Sequence, residues 1–131
     1  SLGRHLIENN GWKSDQVQLI NNADDAVAVA DIVVCATTSE TPTFSGKNLK
    51  PGTFVAAVGA NTPSAREVDS ETIGQMQRIV IDSREDSLKN AGDLLVPINE
   101  NLIKKTFITE LSALVNGSVP GRETEKQKYE I

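Results

Sequence analysis

Apolar residues in this chain come in short continuous runs separated by stretches with helical spacing. Residues 32–36 and 54–58 form two such runs, built from Val, Ile, Ala, Phe and Cys, and Arg78-Ile79-Val80-Ile81-Asp82 reads as a third core strand around a shorter apolar centre. A continuous apolar run of this length is the pattern of a parallel strand covered on both faces, and the run at 32–36 shows it most clearly. Leu2, His5 and Leu6, with Ile7 beside them, fall at helical spacing, and Gly11 supplies the stop. Val17, Leu19 and Ile20 predict a short strand. Asn22 reads as an N-cap, with Asp24 and Asp25 in the first turn of a helix running through residues 26–29. Residues 37–50 form a loop with turn signals at Pro42 and Ser45-Gly46, and Pro51-Gly52 turns into the second run.

Ser70 is expected to cap a helix over residues 71–77, and Ser83 a helix over residues 84–90, with Gly92 just past its end. Leu94-Leu95-Val96 fits helix or strand. A last helix over residues 110–115 begins at Thr109 or its neighbour and stops at Asn116-Gly117. Val119-Pro120-Gly121-Arg122 is a turn, and Lys128-Tyr129-Glu130-Ile131 reads as the start of a further element. Strands alternating with helices mean βαβ units and one parallel sheet.

In an open α/β sheet, ligands bind in the crevice at the carboxyl ends of the strands. Here the first run gives way to Thr37-Thr38-Ser39 and the second, after Val58, to Gly59-Ala60-Asn61-Thr62-Pro63. The Thr37 and Thr38 hydroxyls suit a ribose, an amide or a phosphate, or a local turn bond. Gly59 and Ala60 leave room for a flat ring to approach the backbone, and Asn61 adds a donor and an acceptor. The same residues also suit a strand-ending turn. Asp82 falls at the third strand end, whereas Ser83 and Glu85 are explained by the helix start. Arg122 suits either a turn or an anchor for a carboxylate or phosphate. His5 lies on a helix ahead of the first strand and is not expected to be catalytic.

With 131 residues the chain is one domain, large enough to bury roughly two-thirds of its unfolded surface. A net charge of −5 without a basic stripe argues against a nucleic-acid partner. No run reaches the ~18 apolar residues of a membrane span. Cys35 is the sole cysteine, so no disulfide forms within the chain, and a reducing, cytoplasmic location is expected. Set among Val and Ala, Cys35 reads as a core residue. One histidine and one cysteine make a protein-only metal site unexpected. No nucleophile–base pair stands out. A start at Ser1 fits a segment of something longer.

A dinucleotide-binding domain holds pyrophosphate on a G-x-G-x-x-G/A turn at a helix N-terminus, with a selecting residue ~20 positions on. This chain carries no such turn. It nevertheless resembles the ornithine cyclodeaminase/mu-crystallin family from about Asp24 to its end. The matching motifs are Ala30-Asp31-Ile32-Val33-Val34 with Ala36-Thr37, Leu49-Lys50-Pro51-Gly52, and Ala57-Val58-Gly59-Ala60-Asn61-Thr62-Pro63 with Arg66-Glu67-Val68-Asp69. Further on come Ile81-Asp82-Ser83-Arg84, Leu88-Lys89-Asn90-Ala91-Gly92-Asp93-Leu94, Thr109-Glu110-Leu111 and Val119-Pro120-Gly121-Arg122.

The resemblance implies an α/β fold: a Rossmann-type doubly wound parallel sheet, incomplete because its first strand and glycine loop are absent. Residues 1–131 would then be part of an NAD(P)-binding domain, with the substrate and dimerisation domain outside the chain. It implies NAD or NADP as cofactor, a small amino or imino acid as substrate, and a homodimer when intact. Thr37 matches a cofactor-contacting threonine; Val58, Gly59 and Ala60 match the backbone beneath the nicotinamide. Asn61 stands where cyclodeaminases carry an acid/base Asp. An amide exchanges no proton at neutral pH, so Asn61 would orient substrate. That favours an alanine dehydrogenase or ketimine reductase type of oxidoreductase. Ornithine cyclodeaminase and a non-enzymatic ligand-binding protein of mu-crystallin type are the alternatives, and a ligand-free interaction module is a third. The isolated chain is expected to be inactive.

Overall fold

A computed structural model describes residues 2–123 and 129–130. The elements are α1 (Leu2–Asn10), α2 (Ala23–Val29), β1 (Ile32–Cys35), β2 (Phe54–Ala57), α3 (Ser70–Gln75), β3 (Arg78–Ile81), α4 (Arg84–Asn90), α5 (Gly92–Asn99), β4 (Ile108–Glu110), α6 (Leu111–Val115) and β5 (Tyr129–Glu130). All strand pairs are parallel, in the spatial order β1-β2-β5-β3-β4. The predicted α/β class and the three core strands are therefore present. Of the element expected at residues 128–131, Tyr129 and Glu130 are a strand inside the sheet, while Lys128 and Ile131 lie outside the described residues.

Capping chemistry sets several boundaries. The Asn22 side chain accepts from the Asp24 amide, and Ser83 Oγ from the Asp86 amide, as their positions predict. Gly11, Gly52 and Gly117 have φ of 72°, 91° and 76°, the left-handed region that ends α1, turns the chain into β2 and ends α6. Helix α3 is capped one residue earlier than expected, by Asp69. Its Oδ1 accepts from both the amide and the hydroxyl of Thr72, at 2.7 Å each, while Oδ2 accepts from the Gly46 amide at 3.1 Å. A carboxylate serves three donors where a Ser70 hydroxyl would serve fewer.

Other boundaries moved as well. Residues 17–20 form no strand: there is no partner beside them among the described residues, and Leu19 instead lies against Gly3 of α1. Gly92 lies just past the end of α4, as expected, and at the same time opens α5, which resolves Leu94-Leu95-Val96 as helical. Thr109 and Glu110 belong to β4, so the last helix starts at Leu111.

The main buried cluster lies on one face of the sheet, while Val80, between Ile79 and Ile81 on β3, is buried outside that cluster. Val27 of α2, Ile73 of α3 and Leu94 of α5 share a buried cluster with Val33, Cys35, Val55, Ile79, Ile81 and Ile108. Burying each large member contributes about 1.5–3 kcal/mol. Cys35 is a core residue, as its setting predicts. The opposite face of β1 is open: Ile32 is 65% and Val34 66% exposed. This corrects the expectation of cover on both faces, because α2, α3 and α5 all pack against the Val33 side.

Asp69 ties α3 to the turn at Gly46, and its pKa follows from its partners. Burial pushes it up, but the Thr72 hydroxyl, the Thr72 and Gly46 amides and the nearby Arg66 charge together hold it below the ordinary value. A depressed folded-state pKa contributes stability above the unfolded value, lost as pH falls through the folded one. Asp69→Ala should lower stability by about 1–2 kcal/mol at neutral pH. In thermal unfolding from neutral pH downward, the gap between wild type and variant should narrow below about pH 4.

Candidate functional site

The register pairs Cys35 with Ala57. Thr37 and Gly59, each two residues further on, therefore leave the sheet side by side. An ideal Cβ on Gly59 would sit 2.2 Å from the Thr37 carbonyl oxygen and 2.6 Å from Glu67 Oε1. The missing side chain at Gly59 is thus first a packing requirement between two strand ends. Both backbone amides point at one carboxyl group. The Thr37 amide donates to Glu67 Oε1 at 2.5 Å and the Gly59 amide to Glu67 Oε2 at 2.6 Å. Glu67 is fully buried, so its two oxygens find their donors in the backbone of the two strand-end loops.

Glu67 is itself held from behind. Its amide and that of Val68 donate to Asp93 Oδ1, at 2.8 and 3.0 Å, from the first turn of α5. The amide and hydroxyl of Thr43 both donate to the Glu67 carbonyl at 2.9 Å. The Gly92 amide donates to the Thr62 carbonyl at 3.2 Å. A Cβ there would sit 2.3 Å from the Ala65 carbonyl oxygen, so α5 begins hard against the loop that follows β2. Burial pushes the Asp93 pKa up, the two amides pull it down, and the nearby Glu67 charge opposes its ionisation further, with a net rise.

The other expected site residues lie along this edge. Thr37 is exposed, and its hydroxyl accepts from the Ser39 amide at 3.1 Å, the local turn bond its position allowed. Thr38 is exposed beside it. Val58 is 67% exposed and anchors β2 to β1 through its amide, which donates to the Cys35 carbonyl. Ala60 and Asn61 line a cavity of about 410 Å³, together with Ala57, Asp82, Ala91 and Leu94. Asn61 and Asp82 thus share one cavity, while Thr37 and Gly59 stand outside it. Asp82 Oδ1 accepts from the Ser83 amide and the Ser87 hydroxyl, which lower its pKa.

Arg122 is remote from these residues: its guanidinium donates to the Gly52 carbonyl near the start of β2. His5 contacts Asn9 on α1, likewise away from the edge. Glu67 and Asp93 are the residues that pattern reading missed. Each is a single acid in a polar or turn-like stretch, and neither periodicity nor spacing marks it as buried.

Two substitutions test this bracing. Glu67→Gln places an amide NH2 against a backbone N–H and should cost about 1–3 kcal/mol in chemical denaturation. Gly59→Ala should cost a similar amount, about 1–3 kcal/mol, because the carbonyl it meets is backbone and must be displaced. Asp93 yields the opposite pH sign to Asp69. A raised folded-state pKa means the ionised form opposes folding, a cost that grows as pH rises from the unfolded to the folded value. The Tm of Asp93→Asn relative to wild type should therefore move upward as pH is raised from about 4 to 7.

Residues 7–129 match the ornithine cyclodeaminase/mu-crystallin family. A Delta(1)-pyrroline-2-carboxylate reductase from Bacillus thuringiensis is 41% identical over 107 residues, covering 81% of this chain and 33% of that protein. The ketimine reductase mu-crystallin of Rattus norvegicus is 35% identical over 104 residues, 79% of this chain and 31% of its own length. Among solved structures, the Delta(1)-pyrroline-2-carboxylate reductase of Thermococcus litoralis, in complex with NADH and L-proline, superposes with a TM-score of 0.79. It is 33% identical, with 85% of this chain and 35% of that one covered. The chain spans about a third of the length of the relatives it matches.

Proposed function

The chain belongs to the ornithine cyclodeaminase/mu-crystallin family, and on that premise we propose that it forms part of the NAD(P)-binding domain of an oxidoreductase acting on a small amino or imino acid. The observation that carries this reading is the row of strand-end residues at the carboxyl edge, Thr37, Val58, Ala60 and Asn61, in a chain 33% identical to a reductase solved with NADH and L-proline. Support for this reading comes from the general rule that open parallel sheets bind dinucleotides at the carboxyl ends of their strands.

The residues present fit one end of a dinucleotide. Val58 offers an exposed apolar side chain suited to a flat ring. The Thr37 hydroxyl, which accepts from Ser39, still has its proton to donate to a ribose or carboxamide oxygen. Gly59 and Ala60 continue the backbone shelf without bulk. When bound, the nicotinamide supplies the hydride chemistry. The chain's own contribution is to bind and orient: Thr37, Val58, Gly59 and Ala60 hold the ring end, and Asn61 positions the substrate by hydrogen bonds.

Asn61 favours a reductase or dehydrogenase over a cyclodeaminase, since a side-chain amide moves no proton at neutral pH. The remainder of the protein would carry the phosphate-binding turn, the substrate domain and the dimer contact, in a cytoplasmic homodimer.

The intact protein should oxidise NADH or NADPH when given Δ1-pyrroline-2-carboxylate or another small imino acid, followed by loss of the reduced nicotinamide absorbance. Absence of turnover and of coenzyme binding across a panel of such imino acids would overturn the assignment. Asn61→Ala should lower kcat/KM about tenfold to a hundredfold, the equivalent of one to two substrate hydrogen bonds. Its coenzyme Kd should stay within about twofold, since Asn61 is assigned to substrate.

A further inference from the structure

Both carboxyl oxygens of the fully buried Glu67 accept from backbone amides, Oε1 from Thr37 and Oε2 from Gly59. A proton on either oxygen would set an O–H against one of those N–H groups, so this geometry belongs to the ionised form. Among the described residues the carboxylate has no ion-pair partner. Arg66, its neighbour in the chain, donates instead to Ser70 Oγ at 2.9 Å. Two amide dipoles face the charge where a cation would otherwise neutralise it, and no water reaches the side chain to screen it. Its reach is visible at Asp93, whose ionisation the Glu67 charge opposes.

This charge lies directly behind the shelf formed by Val58, Gly59 and Ala60. An ideal Cβ on Gly59 would sit 2.6 Å from Glu67 Oε1 and 2.7 Å from its Cδ. On the other side the shelf opens outward: Gly59 is only half-buried and Val58 is exposed. One glycine backbone therefore separates the carboxylate from whatever rests on the shelf. Bracing two strand ends calls for two acceptors, not for a net charge, and burying a charge is costly. The charge has an effect that bracing does not require.

We propose that Glu67 sets the redox preference of the coenzyme site, its buried charge favouring the oxidised, cationic nicotinamide ring over the reduced, neutral one. This rests on the assignment of the shelf to the nicotinamide. A unit negative charge at short range and low dielectric stabilises a cation and leaves a neutral ring nearly unaffected. In imino-acid reduction a C–H bond of the ring breaks, and its proton and electron pair pass to the imine carbon. Positive charge grows on the ring as they leave, and a fixed carboxylate behind the shelf stabilises it without reorganising. The same charge slows release of the oxidised coenzyme.

Calorimetric titration of the intact protein with oxidised and with reduced coenzyme tests this without turnover. Wild type should bind the oxidised form at least as tightly as the reduced form. Glu67→Gln keeps the shape and removes the charge, and should raise the ratio of oxidised to reduced Kd about tenfold. A ratio that moves less than about threefold, with both forms weakened alike, would leave Glu67 a brace alone and overturn the proposal. Should the glutamine variant fail to fold, wild type decides: tighter binding of the reduced form overturns it. Wild-type protein that binds neither form would refute the coenzyme reading itself, and this proposal with it.

Discussion

A carboxyl group taken fully out of water costs several kcal/mol unless its acceptor sites are filled. In this chain one such group, Glu67, is filled by the backbone amides of Thr37 and Gly59, which terminate two different strands. That requirement fixes the carboxyl edge. The two loops cannot separate without stranding a buried acceptor, and they cannot approach more closely because the Thr37 carbonyl already occupies the space beside Gly59. The parallel register of β1 and β2 delivers the loops to the same level; Glu67 holds them there.

Support for the edge continues into the next layer. Asp93 accepts from the Glu67 and Val68 amides, so the helix behind the sheet positions the segment that positions the loops. Burial disfavours the ionised form of Asp93, yet two convergent amides need its acceptor there. This tension between desolvation and hydrogen bonding is common where a backbone must be held in one shape. Asp69 repeats the device with the balance reversed: it is less buried, serves more donors, and its charge is favoured.

Much of the fold was legible. Two apolar runs and the shorter apolar centre at residues 79–81 are strands, and Asn22 and Ser83 are caps, because such signals are local and a few residues decide them. What failed depended on distant partners. Residues 17–20 have strand character but nothing to pair with among the described residues. Asp69 displaced Ser70 as a cap because Gly46, far back in the chain, supplied a third donor. Ile32 and Val34 read as doubly covered, although burial of that face depends on what packs against it. Thr37, Val58, Gly59, Ala60 and Asn61 were legible as strand-end residues, because an apolar run that stops at small polar residues marks a strand end. Glu67 and Asp93 left no such trace: their burial is a property of the assembled loops.

The central claim is that one side chain joins two strand ends through their amides. A through-hydrogen-bond scalar coupling experiment on labelled protein reads this directly. The account predicts correlations from the amide nitrogens of both Thr37 and Gly59 to the side-chain carboxyl carbon of Glu67. Absence of both correlations, with the two amides exchanging as fast as an open loop, would contradict it.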